Sequence, residues 1–514
     1  MIKHFSHKLR TVRELASIVE DARFSGRKVV HCHGVFDLLH LGHLRHFQEA
    51  KEYGDILVVT LTPDRFASKA PGRPVFSEQL RAEALANLEI VDYVAINEWP
   101  TAVETILTIK PDFYVKGSEY KDADKDITGK IVDEDTAIRK VGGELRFTEN
   151  ITFSSSKLIN DQLGVFSDSI RHFLDDFKKR YTSDSLIRDL EDLRNLKVLI
   201  IGDAIIDEYF FSKPMGKSAK ENIIPAQYLY EERYAGGVLA VANHISGFCD
   251  DVTLITTIKK GDEYEQFTRE NLRSNVNQKI YHYSDPRGVT TVKRRFVEPN
   301  FMTKLFEVCY LSDDPELHHP ISEEIIHDLA QDIHSYDLVL VADFGHGIMT
   351  DKLVQYVSQH AKFLAVNTQM NSANIGFNVI TKYPRVNYTC IDEQEIRMAL
   401  HDKYSEVETL IKHLKRLLGD SRIVITRGHH GSIGLNDDGE TFASAPVFSD
   451  KVVDRIGAGD AFLSVTSLLA CKGHSTDKLT FIGNLVGALK IRYVCNKFSV
   501  EQVDLFKYLK TLLK

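Results

Sequence analysis

His33-Gly34-Val35-Phe36-Asp37-Leu38-Leu39-His40-Leu41-Gly42-His43 carries most of what the chain says about its own architecture. The run before it, Lys28-Val29-Val30-His31-Cys32, is short, β-rich and expected to be a buried strand. After it, Leu44, Phe47, Ala50 and Tyr53 fall at helical spacing, with charged residues on the opposite side. His40 is therefore expected in a tight strand-to-helix turn and His43 near the first turn of the helix. Gly34 and Gly42 let a ligand approach the backbone closely. Unpaired amides and the positive end of the helix dipole make such a turn an anion site before any side chain is counted. Two imidazoles facing it can donate hydrogen bonds to a phosphate as charge builds during its transfer. The spacing points to phosphoryl chemistry.

Five histidines crowd this region: His31, His33, His40, His43 and His46. Zinc is the obvious rival, but it wants Cys or carboxylate partners at ligand spacing, which Cys32 alone does not supply. In its strand–turn–helix context the full string resembles the signature of the cytidylyltransferase-like nucleotidyltransferases. The resemblance implies an enzyme that joins an NTP to a phosphate or phospho-sugar and releases pyrophosphate. It implies catalytic roles for His40 and His43, and nucleotide contacts for Gly34, Phe36 and Asp37. Three later stretches extend it. Lys69-Ala-Pro-Gly-Arg-Pro-Val75 stands where the family carries a basic loop, implying Lys69 as catalytic and Arg73 as a triphosphate ligand; an ordinary exposed basic loop is the alternative. Val115-Lys116-Gly117-Ser118-Glu119-Tyr120 implies a base and ribose contact through Lys116. Ser154, Ser155 and Ser156 stand where a helix start would hold the outer phosphates, although three serines also make a plain N-cap. The implied mechanism is in-line attack by a substrate phosphate on the α-phosphorus. It needs no covalent intermediate, only positioning and charge stabilisation by His40, His43, Lys69 and Mg2+.

The chain has 514 residues, 43% hydrophobic and 27% charged, as expected of a globular enzyme with two large α/β domains. A net charge of −9 argues against nucleic acid as a partner. Six scattered cysteines without a CxxC pair fit a reducing cytoplasm. The N-terminal residues are too charged for a signal peptide, and no run reaches membrane-spanning length.

Strands are expected at 55–62, 92–97, 113–116 and 144–148, alternating with helices at 11–24, 78–88, 101–109 and 131–141. That alternation predicts a doubly wound, Rossmann-like parallel sheet over 1–163, with ligands at the carboxyl ends of its strands. Residues 164–195 read as a packed connector of two helices, with Ser183 and Ser185 offering a cap.

From Lys197 to the end the pattern restarts: Val198-Leu199-Ile200-Ile201-Gly202-Asp203 is a buried strand entering a turn, with Asp207 four residues on. Asp454-Arg455-Ile456-Gly457-Ala458-Gly459-Asp460 precedes an apolar helix. Gly457, Ala458 and Gly459 let consecutive amides converge on an anion, and Asp460 is placed to take a proton from a substrate hydroxyl. With Gly236-Gly237 and Ile425-Thr426-Arg427-Gly428-His429-His430-Gly431, this resembles the ribokinase-like (PfkB) sugar kinases, implying an α/β sandwich over 196–514. The resemblance implies that ATP is held by Thr426, Gly428, Gly431 and the 457–459 turn. It implies sugar contacts from Asp207, Gly236, Gly237 and Asp343, with turn capping as the alternative for the two aspartates. Lys293 and Arg295, on one face of an alternating strand, would bind a phosphate already on the sugar, or form a solvated basic strand. Asp392 and Glu395 are the magnesium candidates. Together the two halves resemble the bifunctional heptose-phosphate kinase/nucleotidyltransferases of lipopolysaccharide-core biosynthesis, in reversed order. The chain departs from that pattern at Ala240, Asp392, His346 and Arg455. The implied function is a sugar or sugar-phosphate kinase coupled to a nucleotidyltransferase that uses ATP or CTP on a sugar 1-phosphate. The alternative is a nucleotidyltransferase alone, on a polyol phosphate for instance, with the kinase-like half as a sensing or dimerising scaffold. A homodimer is expected in either case.

Overall fold

The computed structural model describes residues 7–67, 74–121, 130–149, 166–283, 285–312, 314–449 and 452–514. Lys69, Arg73, Ser154, Ser155 and Ser156 lie outside them. Two units result: Met1–Leu174 with Phe506–Lys514, and Asp175–Leu505.

Runs of β-branched residues bounded by polar turns set the strands of the first unit: β1 (Val29–Gly34), β2 (Ile56–Leu61), β3 (Tyr93–Ile96), β4 (Phe113–Lys116) and β5 (Glu144–Phe147). They form one sheet in the order β3-β2-β1-β4-β5, every pair parallel. Both faces are covered, so β2 is buried along its whole length and reads as a continuous apolar run. Val30, Leu57 and Val59 pack with Phe47 and Leu85 on one face; Val29, Ile56 and Val58 pack with Val12, Leu15 and Val19 on the other. The strand order reverses at β1, which is where a doubly wound sheet opens a ligand crevice.

The second unit holds a nine-stranded sheet built from β6 (Lys197–Gly202), β9 (Asp251–Ile258), β10 (Val276–His282), β13 (Leu338–Asp343), β14 (Leu364–Thr368), β15 (Tyr388–Asp392), β16 (Arg422–Thr426), β17 (Ser432–Leu435) and β18 (Phe442–Ala445). Its order is β10-β9-β6-β13-β14-β15-β16-β17-β18, parallel as far as β16 and antiparallel beyond. A second sheet has the order β12-β11-β7-β8, from β7 (Ala204–Pro214), β8 (Ala226–Gly237), β11 (Val292–Glu298) and β12 (Thr303–Tyr310). Alternation divides its residues: Tyr209, Phe211, Tyr234 and Val297 form a buried cluster. Tyr228, Phe210, Phe296 and Phe306 make a ladder across the four strands, with Phe296 stacked on Phe306 at 4.4 Å. β12 is exposed throughout.

The connector forms helices Asp168–Lys178 and Ser183–Glu191. Its cap differs from the expected Ser183 and Ser185 pair. Thr182 is the N-cap and closes a capping box with Ser185, because Ser183 is already the first helical residue. Phe177 packs on Phe481 with ring centroids 4.0 Å apart and planes tilted by 32°, and Lys478 reaches Asp189.

Candidate active sites

In the first unit, β1 ends at Gly34 and helix Leu41–Lys51 begins after the N-cap His40. His40 is held by its own helix: its Nδ1 accepts from the Gly42 amide at 3.1 Å, which leaves the proton for Nε2. The His43 ring stacks on His40 with centroids 4.0 Å apart and planes 19° from parallel. Phe36 meets His43 edge-on at 5.3 Å. Phe36 itself stands at φ 51°, a left-handed conformation that costs a bulky residue energy and that the surrounding turn holds in place. Gly34 is required here, since a Cβ would lie 2.9 Å from the Phe36 ring. Burial lowers the pKa of His40, so at neutral pH it is an uncharged donor.

Beneath this turn lies a buried polar chain that the motif alone does not announce. Thr60 Oγ1 bridges His31 Nε2 at 2.7 Å and His33 Nδ1 at 2.8 Å, and His33 Nε2 meets Thr62 Oγ1 at 3.2 Å. Burial, with Lys116 nearby, holds His31 down at about 3 and His33 well below the ordinary range. His46 pairs with Thr148 at 3.0 Å and is held at about 4 for the same reasons. The five histidines thus separate into three groups, and among the described residues no set of three or more His, Cys, Asp or Glu is grouped to hold a metal.

Asp37 and Lys116, read as nucleotide contacts, have protein partners. Asp37 accepts from the Val75 and Phe76 amides at 2.7 and 3.1 Å, pinning the chain just after residue 73. Lys116 pairs with buried Glu134 at 3.1 Å and lies over the Tyr120 ring at 4.9 Å. Burial opposes the charge on Lys116, but Tyr114 and Glu134 hold its pKa well above the usual lysine value. Sequence reasoning missed Arg81. Its fully buried guanidinium donates to the carbonyls of Val35, Thr62 and Phe76 and pairs with Asp64 at 2.6 Å.

In the second unit Asp343, Asp392 and Thr426 stand at the ends of β13, β15 and β16 of the large sheet, Asp207, Gly236, Gly237, Lys293 and Arg295 on the four-stranded sheet, and Gly457–Asp460 at a helix start. Gly457 stands at φ 79°, and a Cβ there would come within 2.3 Å of Asn496 Oδ1. Helix Ala458–Cys471 starts at once, so Gly457, Ala458, Gly459 and Asp460 form its N-terminal cradle. A Cβ at Gly459 would meet nothing within 4 Å, so that position is open to a ligand. Asp460 is buried, and its Oδ1 accepts from Gln369 Nε2 at 2.6 Å. Burial raises its pKa to about 6 against the opposing Gln369 bond. Asp207 pairs with Arg295, which also reaches Glu307 at 2.7 Å. The charge of Arg295 is therefore spent within the protein, and the strand is not a solvated basic one: Arg294, pointing the other way, pairs with buried Glu208 at 2.7 Å. Gly236 makes room for Asp207, whose Oδ2 lies 2.0 Å from where a Cβ would stand. Gly237, at φ 56°, packs against the Asp203 carbonyl.

Asp343 accepts from the Gly345 amide, from Tyr383 at 2.6 Å and from Lys382 at 2.6 Å, which makes it a turn and ion-pair residue. Asp203, unmarked in the sequence reading, receives the Phe344, His346 and Ile348 amides; burial and the neighbouring Asp343 raise it to about 6. Asp392 and Glu395 close a capping box on helix Glu393–Ala399, and Glu395 also receives the Met370 amide. Burial and Asp392 push Glu395 up to about 7. Thr426 pairs with Asp392 in the β15/β16 register, and Gly428 and Gly431 turn the following loop at φ 55° and 82°. His346 is buried with neither ring nitrogen hydrogen-bonded among the described residues; burial, with Lys293 and His318 near, lowers it to about 3.

These two folds and their helix-start cradles define a chain of two α/β domains, each of a class found among transferases. Residues 195–501 match the pfkB family of carbohydrate kinases and residues 31–161 the cytidylyltransferase-like family. The chain belongs to the pfkB carbohydrate kinase family and carries a cytidylyltransferase-like domain ahead of it. It is similar to the bifunctional protein HldE of Aliarcobacter butzleri, 39% identical over 139 residues, which is 26% of this chain and 29% of that protein. The HldE protein of Geobacter metallireducens is 35% identical over 158 residues, 30% of this chain and 31% of the relative. The chain thus spans less than a third of the length of these relatives. Phosphofructokinase-2 from Escherichia coli, solved in complex with potassium, superposes on 62% of this chain and all of its own with a TM-score of 0.50 at 13% identity, a likeness of fold.

Proposed function

We propose that the chain catalyses two reactions. The second unit transfers the γ-phosphate of ATP to a hydroxyl of a sugar or sugar phosphate. The first couples ATP or CTP to a sugar 1-phosphate with release of pyrophosphate, giving a nucleotide-sugar. The observation that carries this reading is the placement of Asp460 directly after the Gly457–Gly459 turn: a base and an anion cradle on one helix start.

In the kinase step Asp460, ionised at neutral pH, takes the proton of the attacking hydroxyl while the helix-start amides offset charge on the transferred group. Lys293, near buried His346, is proposed to meet a phosphate already on the sugar. In the nucleotidyl step no proton needs abstraction, because the attacking group is already a phosphate anion. His40 donates from Nε2, and His43, stacked on it, shares the helix start. Lys69, Arg73 and Ser154–Ser156 are proposed to complete that site. Of the magnesium candidates, Asp392 Oδ1 and both oxygens of Glu395 are spent on backbone amides, so a magnesium ion carried on the nucleotide would meet chiefly Asp392 Oδ2; when bound it would neutralise phosphate oxygens. The six cysteines are all free, which suits a cytoplasmic, reducing setting. The aromatic ladder on the second sheet suits a homodimer contact, which sedimentation velocity would detect.

The test separates the two chemistries in the full chain. Asp460→Asn should abolish sugar-dependent ATP consumption and leave pyrophosphate release intact; His43→Ala should cut pyrophosphate release more than about tenfold and spare the kinase. Wild-type protein that releases pyrophosphate but consumes no ATP with any sugar would favour the second reading, a nucleotidyltransferase with a scaffold. The capping box at Asp392 and Glu395 and the alanine at 240 lean that way.

A further inference from the structure

Lys490 is the last residue of helix Thr476–Lys490 and is 1% exposed. A buried ammonium is costly unless something offsets it. Its hydrogen bond goes to a neutral group, the Cys495 carbonyl, and among the described residues it makes no direct ion pair. What surrounds it is the underside of the kinase cradle. Its Cε lies 3.1 Å from where a Cβ on Gly457 would stand. Asp460, Asp454 and Asp207 all act on its charge from a distance. Asn496 Oδ1, buried and without a hydrogen-bond partner, lies 2.3 Å from the same Gly457 Cβ position. The Cys495 carbonyl and Asn496 Oδ1 thus stand with this tethered cation directly behind the turn that would receive the transferred phosphoryl group, while Asp454, at the start of that turn, pairs with a second lysine, Lys304, at 2.8 Å.

The geometry points to Lys490 as a positioning residue of the kinase reaction: a covalently tethered monovalent cation that sets the 454–460 turn and supplies positive charge behind it. The inference rests on the kinase reading above. Burial lowers the ammonium's pKa, and Cys495 and the three aspartates oppose that. A purely structural lysine, tying down the Cys495 turn, would make a different set of observations.

The experiment uses the full-length chain carrying Lys490→Met, with sugar-dependent ATP turnover measured in a buffer free of potassium and ammonium. The inference expects a folded protein whose nucleotide affinity changes less than about threefold. Its kcat should fall at least about 30-fold, equivalent to about 2 kcal/mol, and be substantially restored by potassium or ammonium chloride but not by tetramethylammonium. Rescue follows because removing the ammonium vacates a site lined by Cys495 O and Asn496 Oδ1. A kcat within threefold of wild type overturns the inference, and so does a loss that no small cation restores. If Lys490→Met fails to fold, Lys490→Gln takes its place under the same criteria, and failure of both to fold overturns the proposal in favour of a structural lysine. Absence of sugar-dependent turnover in the wild type defeats the kinase reading itself, an outcome distinct from the others.

Discussion

Acid should unfold the first unit well before carboxylate titration accounts for it, and the buried histidine chain sets the amount. His31 is fully buried, its Nε2 engaged with Thr60, and it titrates at about 3 against 6.5 for a free imidazole. Its folded pKa lies below the unfolded one, so its contribution is present above about 6.5 and is lost as pH falls toward the folded value. Between about pH 7.5 and pH 5 the unfolded chain gains a proton that the native one refuses, which costs about 2 kcal/mol for this one group. His46, held at about 4 by the same burial, extends the ceiling to about 4 kcal/mol, and His33, also lowered by burial, adds in the same direction. The chain offers its own reporter, because its single tryptophan, Trp99, packs against the Val12, Leu15 and Ala95 core of this unit. Urea titrations followed by Trp99 emission at several pH values give the free energy directly. His31→Gln should flatten the profile by about 2 kcal/mol over that range, since glutamine does not titrate. A wild-type free energy constant to within about 0.5 kcal/mol from pH 7.5 to pH 5 would refute the reasoning, because it would mean that the imidazoles take up protons in place.

Two further outcomes follow from the second unit. The kcat/KM of the kinase reaction should fall with decreasing pH as Asp460 protonates, halving near pH 6 and dropping about tenfold by pH 5, as initial rates against pH would record. Gly236→Ala would drive a methyl group to 2.0 Å from Asp207 Oδ2 and push that carboxylate off Arg295; the KM for sugar should rise about tenfold or more, with a stability loss of about 1–3 kcal/mol in urea.

Much of the first unit was legible because its signals are local. A β-rich run, two glycines and a helical spacing place His40 and His43 without any long-range information, and the strands lie within a residue or two of their expected ends. The five-histidine cluster could not be resolved that way. His31 and His33 share one side of β1, and only the β1/β2 register brings Thr60 to bridge them. In the second unit Asp460 announced itself by its neighbours in sequence, whereas Gln369, its hydrogen-bond partner, follows β14 far upstream and carries no mark. The sequence marks Asp392 and Glu395 as magnesium candidates, but the same three-residue spacing makes a capping box, which is what the two carboxylates form on their helix. Lys490, lying in an apolar helix, reads as an oddity until the fold brings Gly457 against it.

Arg81 has a consequence for how variants of this chain will be interpreted. One guanidinium clamps three separate stretches: the bend carrying Val35, the exit of β2 at Thr62, and Phe76, just ahead of helix Glu78–Ala86. A change at that arginine would slacken the surroundings of His40 from a position some forty residues away in sequence, far outside any recognisable signature. Kinetic screens that rank positions by their nearness to the histidine motif would misfile such a lesion as a folding defect.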